Sequence, residues 1–257
     1  MPQKERAQEA LTVGALPNSA PMTYTELRKT LRHGALTIIG QFQVSSNATY
    51  LVEIDGVRAV YKPVSGEREL WDFQPRSLSA REVAAYVVSR AAAFNFVPLT
   101  VWRRTAQLGP GSVQLFIEPD PTQNFLTLRE DTPDRLKSVA LFDAIINNTD
   151  RKAGHILVDR NNKIWLIDHG VTFHQEDKLR TVIWDFAGQP IDESLIGHLH
   201  TLEEQLSAPE SLLRNLLTRL LTRNEMLALQ GRINKLIVSG TFPIPQKGIP
   251  PLPWPLY

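Results

Sequence analysis

Asn147-Asn148-Thr149-Asp150-Arg151, followed after a short interval by Asp168-His169-Gly170, is the stretch on which the reading of this chain turns. Just before it, Leu136, Val139, Ala140, Asp143 and Ile146 recur at helical spacing, predicting a helix capped at Thr132 with Pro133 in its first turn. Between the two motifs, residues 156–159 and 163–167 flank Asn161-Asn162 and read as a β-hairpin. One carboxylate therefore sits in a loop between helix and hairpin, and another directly follows the hairpin.

Working outward toward the N-terminus, residues 49–54 and 57–62 are β-rich runs around Asp55-Gly56, a pair suited to the positive φ angles of a tight hairpin turn. Alternation along the second run places Lys62 near its end, on the face of Val60 and Arg58. Residues 79–88 predict a helix with Ser79 as its cap and Glu82 as the capping-box partner. Residues 97–98 and 100–102 read as extended, Gly109-Pro110-Gly111 as a turn and residues 112–118 as a strand. A further helix is predicted after Thr23, with Glu26 completing its cap. Past Trp184 the pattern is helical, clearest where Ser207-Ala208-Pro209-Glu210 precedes Leu212, Leu213, Leu216, Leu217, Leu220 and Leu221, a stripe read as packed into a core.

The fold class expected is α+β in two lobes: a β-rich N-lobe over about residues 22–118 and a mostly helical C-lobe over about 119–240. Residues 1–21 lack sustained periodicity and are read as a flexible tail. Residues 241–257 are rich in proline, and Leu252, Trp254 and Tyr257 suit them to wrap a surface.

Composition narrows the function classes. The chain of 257 residues carries 28 basic and 27 acidic residues, net +1, so no global field recruits nucleic acid or an anionic membrane. Cysteine is absent, which excludes a disulfide framework, a thiolate metal site and a thiol nucleophile. No run approaches the ~20 apolar residues of a membrane span, and the first 21 residues lack a signal peptide's apolar core. A cytoplasmic protein without a transmembrane segment is expected.

Phosphoryl transfer from ATP needs a cation on the phosphates, a helix carboxylate to hold it, a metal ligand, and a carboxylate beside the nucleophile. Lys62 at a strand end, Glu82 on the next helix, Asp150 in a loop and Asp168 after a hairpin supply all four in a workable order. Singly, each would suit an edge charge, a helix cap, a surface ion pair or a turn. Their joint order points to a protein-kinase-like fold using ATP with Mg²⁺ or Mn²⁺.

Tyr61-Lys62-Pro63, Arg81-Glu82-Val83-Ala84, Val97-Pro98-Leu99-Thr100, the run from Gly111 to Glu118, Asn148-Thr149-Asp150-Arg151 and Ile167-Asp168-His169-Gly170 resemble phosphatidylinositol 3- and 4-kinase-related proteins. The resemblance is closest to the type II phosphatidylinositol 4-kinases and to short actinobacterial kinase-like proteins. More distantly it extends to HipA kinases and secretory-pathway kinases. It implies that Lys62 contacts the α and β phosphates and pairs with Glu82, that Phe116, Ile117 and Glu118 read the adenine, that Asp150 orients or deprotonates the acceptor hydroxyl, that Asp168 binds metal, and that Arg151 supports the loop.

Two departures stand out. The phosphate-covering loop has a single glycine, Gly40, leaving Ser45, Ser46 and Asn47 to offer amides and short polar groups. His155 stands where the type II lipid kinases carry a metal-binding asparagine, and imidazole favours softer metals than Mg²⁺, so Mn²⁺ preference or a single-metal site is expected. The acceptor stays open between small molecule, protein and inositol lipid. Nucleotide binding without turnover, and transfer of AMP, are the alternative activities.

Overall fold

The computed structural model describes residues 22–43 and 45–257; the predicted tail over 1–21, and Val44 of the phosphate-covering loop, lie outside the described residues. The chain forms two compact units, one of residues up to Arg68 with Leu99–Glu118, the other of Glu69–Pro98 with Pro119–Tyr257.

The first unit is one helix on an antiparallel sheet. Helix α1 (Tyr24–His33) starts at the Thr23–Glu26 capping box foreseen in the sequence. Strands β1 (Leu36–Gln41), β2 (Tyr50–Ile54), β3 (Val57–Pro63), β4 (Thr100–Arg103) and β5 (Gly111–Leu115) lie in the order β1-β2-β3-β5-β4. Asp55 and Gly56 both have positive φ, 45° and 80°, so the β2–β3 turn is of the kind their sequence demands. Arg103 donates to the Leu31 and Gly34 carbonyls at 3.2 and 2.7 Å, satisfying the C-terminal end of α1 and tying it to the sheet.

Burial alternates strictly along β3, with Val57, Ala59, Tyr61 and Pro63 buried and Arg58, Val60 and Lys62 half-buried. Lys62 pairs with Ser112 of β5. The neighbouring pair, Pro63 with Gly111, brings the backbones so close that a Cβ on Gly111 would lie 2.3 Å from the Lys62 oxygen and 2.8 Å from Pro63 Cα. Backbone cannot yield as a side-chain tip can. Gly111→Ala is therefore expected to cost about 1–3 kcal/mol, read as a lowered midpoint in denaturant unfolding.

The second unit is mostly helical: α2 (Leu78–Ala91), α3 (Phe125–Asp131), α4 (Arg135–Ile146), the hairpin β6 (Ile156–Val158) and β7 (Ile164–Leu166), then α5 (Glu193–Ser207), α6 (Leu212–Leu217) and α7 (Arg223–Ser239). Three predicted caps are corrected. Helix α2 starts a residue before Ser79, which is buried inside it, and Ser77 holds the cap position. Helix α4 starts at Arg135 behind Asp134, while Thr132 ends α3, a helix the sequence reading omitted. Ser207 ends α5 instead of opening the leucine helix, because Pro209 breaks the chain there. The leucine stripe is split accordingly: Leu213 and Leu217 are buried in α6, Leu212 is 73% exposed, and the long last helix begins at a Thr222–Glu225 capping box.

The proline-rich end lies along the second unit through backbone hydrogen bonds, whereas Leu252, Trp254 and Tyr257, expected to find apolar contacts, are 46%, 88% and 61% exposed. Phe242 exchanges backbone hydrogen bonds with Gln189 and Gly188, Thr181 N–H donates to the Pro251 carbonyl at 3.1 Å, and Ala153 N–H donates to the Leu256 carbonyl at 2.9 Å. No helix among the described residues is long and apolar enough to cross a membrane.

Candidate active site

The loop after α4 is built on a buried charge pair. Asp143 falls on the apolar stripe of α4, and with Arg151 it is wholly buried. The Arg151 guanidinium grips both Asp143 oxygens through Nε at 3.1 and 3.0 Å and adds a 3.0 Å bond from Nη2. Its remaining donors reach the Ile167 carbonyl at 2.9 Å and the His169 ring. Arg151 thus ties the Asp150 loop to the turn that carries Asp168, a supporting role satisfied at nearly every donor.

Asn147 and Asn148 complete the scaffold. Asn147 ends α4 in the left-handed conformation, φ 51°, which asparagine tolerates. Its amide donates to the His174 and Glu176 carbonyls, and its oxygen accepts from Lys178 N–H. Asn148, fully buried, donates to Asp143 and accepts the Asp150 N–H at 3.0 Å. Thr149 N–H and Oγ1 both donate to the Val171 carbonyl. The backbone at Asp150 is therefore held from both sides.

What this frame presents is carboxylate chemistry. Burial pushes the Asp150 carboxyl above its ordinary value, with the Asp168 charge adding to the effect and the Lys152 ammonium opposing it. Lys152 Nζ lies 3.0 Å from Asp150 Oδ2. The sequence reading passed over Lys152; its signal was a cation two residues from the candidate base, on the far side of an arginine that points into the core.

Asp168 has φ 60°, an uncommon conformation for a non-glycine residue and one that clusters at functional turns. Its Oδ2 lies 3.4 Å from His155 Nε2. Lys152 N–H approaches His155 Nδ1 at 3.5 Å, and His155 Nε2 faces the Asp168 carboxylate. Coordination of a metal by Nε2 would put the ring proton on Nδ1, toward the Lys152 N–H. The carboxylate of Asp168 with an adjacent imidazole makes a mixed oxygen–nitrogen donor set that fits a divalent ion also held by nucleotide phosphates.

Glu82, on the buried face of α2, accepts the His169 N–H at 3.0 Å. Its role in place of a cap is to hold the residue after Asp168. Its neighbour Arg81 donates to the Thr172 carbonyl at 2.7 Å and pairs with Glu225, joining α2 to the chain beyond the turn and to α7. Asp150, Arg151, His155, Asp168 and Glu82 are thus brought together within the second unit.

The first unit carries the other candidates. Ser45 Oγ and Thr49 Oγ1 share a 2.9 Å hydrogen bond, Ser46 is exposed, and the Asn47 side chain accepts from Arg68 N–H at 2.7 Å, so Asn47 braces its own loop. The N–H of Phe116 donates to the Arg58 carbonyl at 3.1 Å, extending the β3–β5 ladder. Ile117 is buried, and Glu118 pairs with Arg58 at 2.8 Å.

Comparison with known proteins places the fold. The Golgi casein kinase superposes on 83% of this chain and 75% of its own with a TM-score of 0.54 and 15% identity. The hydra Fam20 structure with sugar covers 90% and 92%, with 0.55 and 16%. The Helicobacter pylori proinflammatory kinase CtkA covers 82% and 94%, with 0.51 and 12%. At such identities the likeness is one of fold, and the fold is kinase-like. No protein-family model matches the sequence. Protein Rv2133c of Mycobacterium tuberculosis is 35% identical over 266 residues, spanning 88% of this chain and 94% of its own length, and the chain belongs to that protein's family.

Proposed function

We propose that the chain is an ATP- and metal-dependent phosphotransferase acting on a hydroxyl acceptor. The observation that carries this reading is the pair of loop carboxylates, Asp150 and Asp168, held by one buried framework of Asp143, Arg151 and Asn148. Asp150 takes the acceptor's proton as its oxygen attacks the γ-phosphorus and the bond to the bridging β-phosphate oxygen breaks. Lys152, beside that carboxylate, is placed to balance the charge on the moving phosphoryl group. Lys62 supplies the cation for the α and β phosphates, and Ser45, Ser46 and the segment at Ile117 and Glu118 contribute to the nucleotide site. A divalent ion would be held by Asp168, with His155 as ligand or as donor to it, and would neutralise phosphate charge. One solved Golgi casein kinase structure contains Mn and ADP, which supports the same pairing here.

Within the hydroxyl class we favour a soluble acceptor over an inositol lipid, as the 257 residues hold no cysteine of the kind that is palmitoylated. Titrating transfer against Mg²⁺ and Mn²⁺ tests His155. If it ligates metal, His155→Asn shifts the preference from Mn²⁺ toward Mg²⁺; an unchanged profile assigns it only to orienting Asp168.

The approach of the Lys152 N–H to His155 Nδ1, which ligation through Nε2 would disturb, favours a second reading, nucleotide binding without turnover. Metal-dependent ADP release that vanishes in Asp168→Ala decides for the enzyme. Nucleotide binding with no such release decides for the regulator.

A further inference from the structure

Besides the framework of Asp143 and Arg151, the Asp150 loop has a second set of holders, which come from the proline-rich segment. Arg151 and Thr181 form a parallel bridge: Arg151 N–H donates to the Arg180 carbonyl at 3.0 Å, and Val182 N–H donates to the Arg151 carbonyl at 3.2 Å. A bridge made through residues 180 and 182 leaves the Thr181 N–H turned to the opposite edge. There it meets the Pro251 carbonyl at 3.1 Å, an oxygen that also accepts from Trp184 Nε1 at 3.0 Å. Further along, the Leu256 carbonyl takes the Ala153 N–H at 2.9 Å.

Both donors bear on the carboxylates. Ala153 and Thr181 are only 3% and 2% exposed, and a buried N–H needs an acceptor. Ala153 follows Lys152, whose ammonium lies 3.0 Å from Asp150, and it opens the short turn Ala153–His155 that brings His155 to Asp168. Thr181 runs beside Arg151, and its Oγ1 reaches Asp143 at 3.5 Å. The proline-rich segment thus holds the loop at two points. Its own grip is slight, because among residues 251–257 only Pro253 is buried, while Leu252, Trp254, Leu256 and Tyr257 face water. A segment held by so few contacts can lift while the helices stay folded.

We propose that residues 250–257 are a positioning strap for phosphoryl transfer, a role that rests on the reading of Asp150 as the acceptor's base. Seated, the strap fixes the backbone on both sides of the Arg151–Thr181 bridge; lifted, it frees the loop and the transfer rate falls. A misplacement of about 1 Å at a reacting group costs about 10²-fold. The effect therefore belongs in kcat, not in KM for ATP or in the unfolding midpoint.

Hydrogen exchange and transfer kinetics on the full chain test this together. Pro253→Arg puts a long charged side chain at the strap's buried residue, and Trp184→Phe removes the indole donor to the Pro251 carbonyl. The Ala153 and Thr181 amides are expected to be protected in the parent. In Pro253→Arg both should exchange about tenfold faster or more, the weight of about one hydrogen bond, with kcat falling about tenfold and KM for ATP within about twofold. Trp184→Phe should move the same quantities in the same direction by less, and it decides alone if Pro253→Arg does not fold. Unprotected amides in the parent, protection left unchanged by the substitutions, or faster exchange at both amides with kcat intact would overturn the proposal. Absence of transfer in the parent would count instead against the phosphotransferase reading, and the exchange rates, which need no activity, would still decide whether the strap holds the loop.

Discussion

Asp150→Asn lowers phosphoryl transfer by about 10²–10⁴-fold, the usual contribution of a positioned general base, while nucleotide affinity and the unfolding midpoint stay near the parent's. The substitution keeps the shape and leaves the N–H of residue 150 on Asn148, so the loop is preserved. It removes the carboxylate proposed to take the acceptor's proton. The fall should appear in kcat with little change in KM for ATP, because the proposed role of Asp150 is on the acceptor side. Lys152→Met acts differently: it removes the ammonium 3.0 Å from the same carboxylate. A loss in that variant that is smaller than in Asp150→Asn, and that appears with ATP as well as acceptor, would mark Lys152 as a phosphate-facing cation.

Asp143→Leu is the most destabilising single change expected in the chain. It leaves the Arg151 guanidinium, wholly buried, without the carboxylate that takes three of its hydrogen bonds. Breaking a buried pair from one side costs about 3–5 kcal/mol, a fall on the order of 10 °C in the melting temperature for a chain of this size. Asp143→Leu with Arg151→Met should recover much of that stability, since it removes both charges. It should not recover activity, because Arg151 also joins the Asp150 loop to the Ile167 carbonyl and the His169 ring. Recovery of stability without transfer would separate the framework's structural contribution from its positioning of the two carboxylates.

Much of this was legible in local sequence. The Asp55-Gly56 turn, the Thr23–Glu26 cap, the alternation that sets Lys62 on its face and the hairpin between Asp150 and Asp168 each rest on a few adjacent residues. What escaped was decided by distant partners. Glu82 has the spacing of a helix cap, but its carboxylate goes to the N–H of His169, 87 residues away. Asp143 fits an apolar stripe by periodicity and gave one clue, a charge among Leu136, Val139 and Ile146; the answering cation could not be chosen without the fold. Asn47 reads as a phosphate donor in a polar loop, whereas its side chain is engaged by Arg68. Pro209, which breaks the leucine stripe, was visible, but a strong capping pattern around it read the other way.

The most direct test of the central claim follows the γ-phosphate. The full chain is incubated with γ-labelled ATP and Mn²⁺ in the presence of protein, inositol-lipid and small-molecule fractions, alongside Asp168→Ala. The account predicts label in a hydroxyl phosphoester, with one ADP released for each phosphoryl group moved, and neither in the Asp168 variant. Equal transfer by the Asp168 variant, or label retained in pyrophosphate while AMP joins the acceptor, would contradict it.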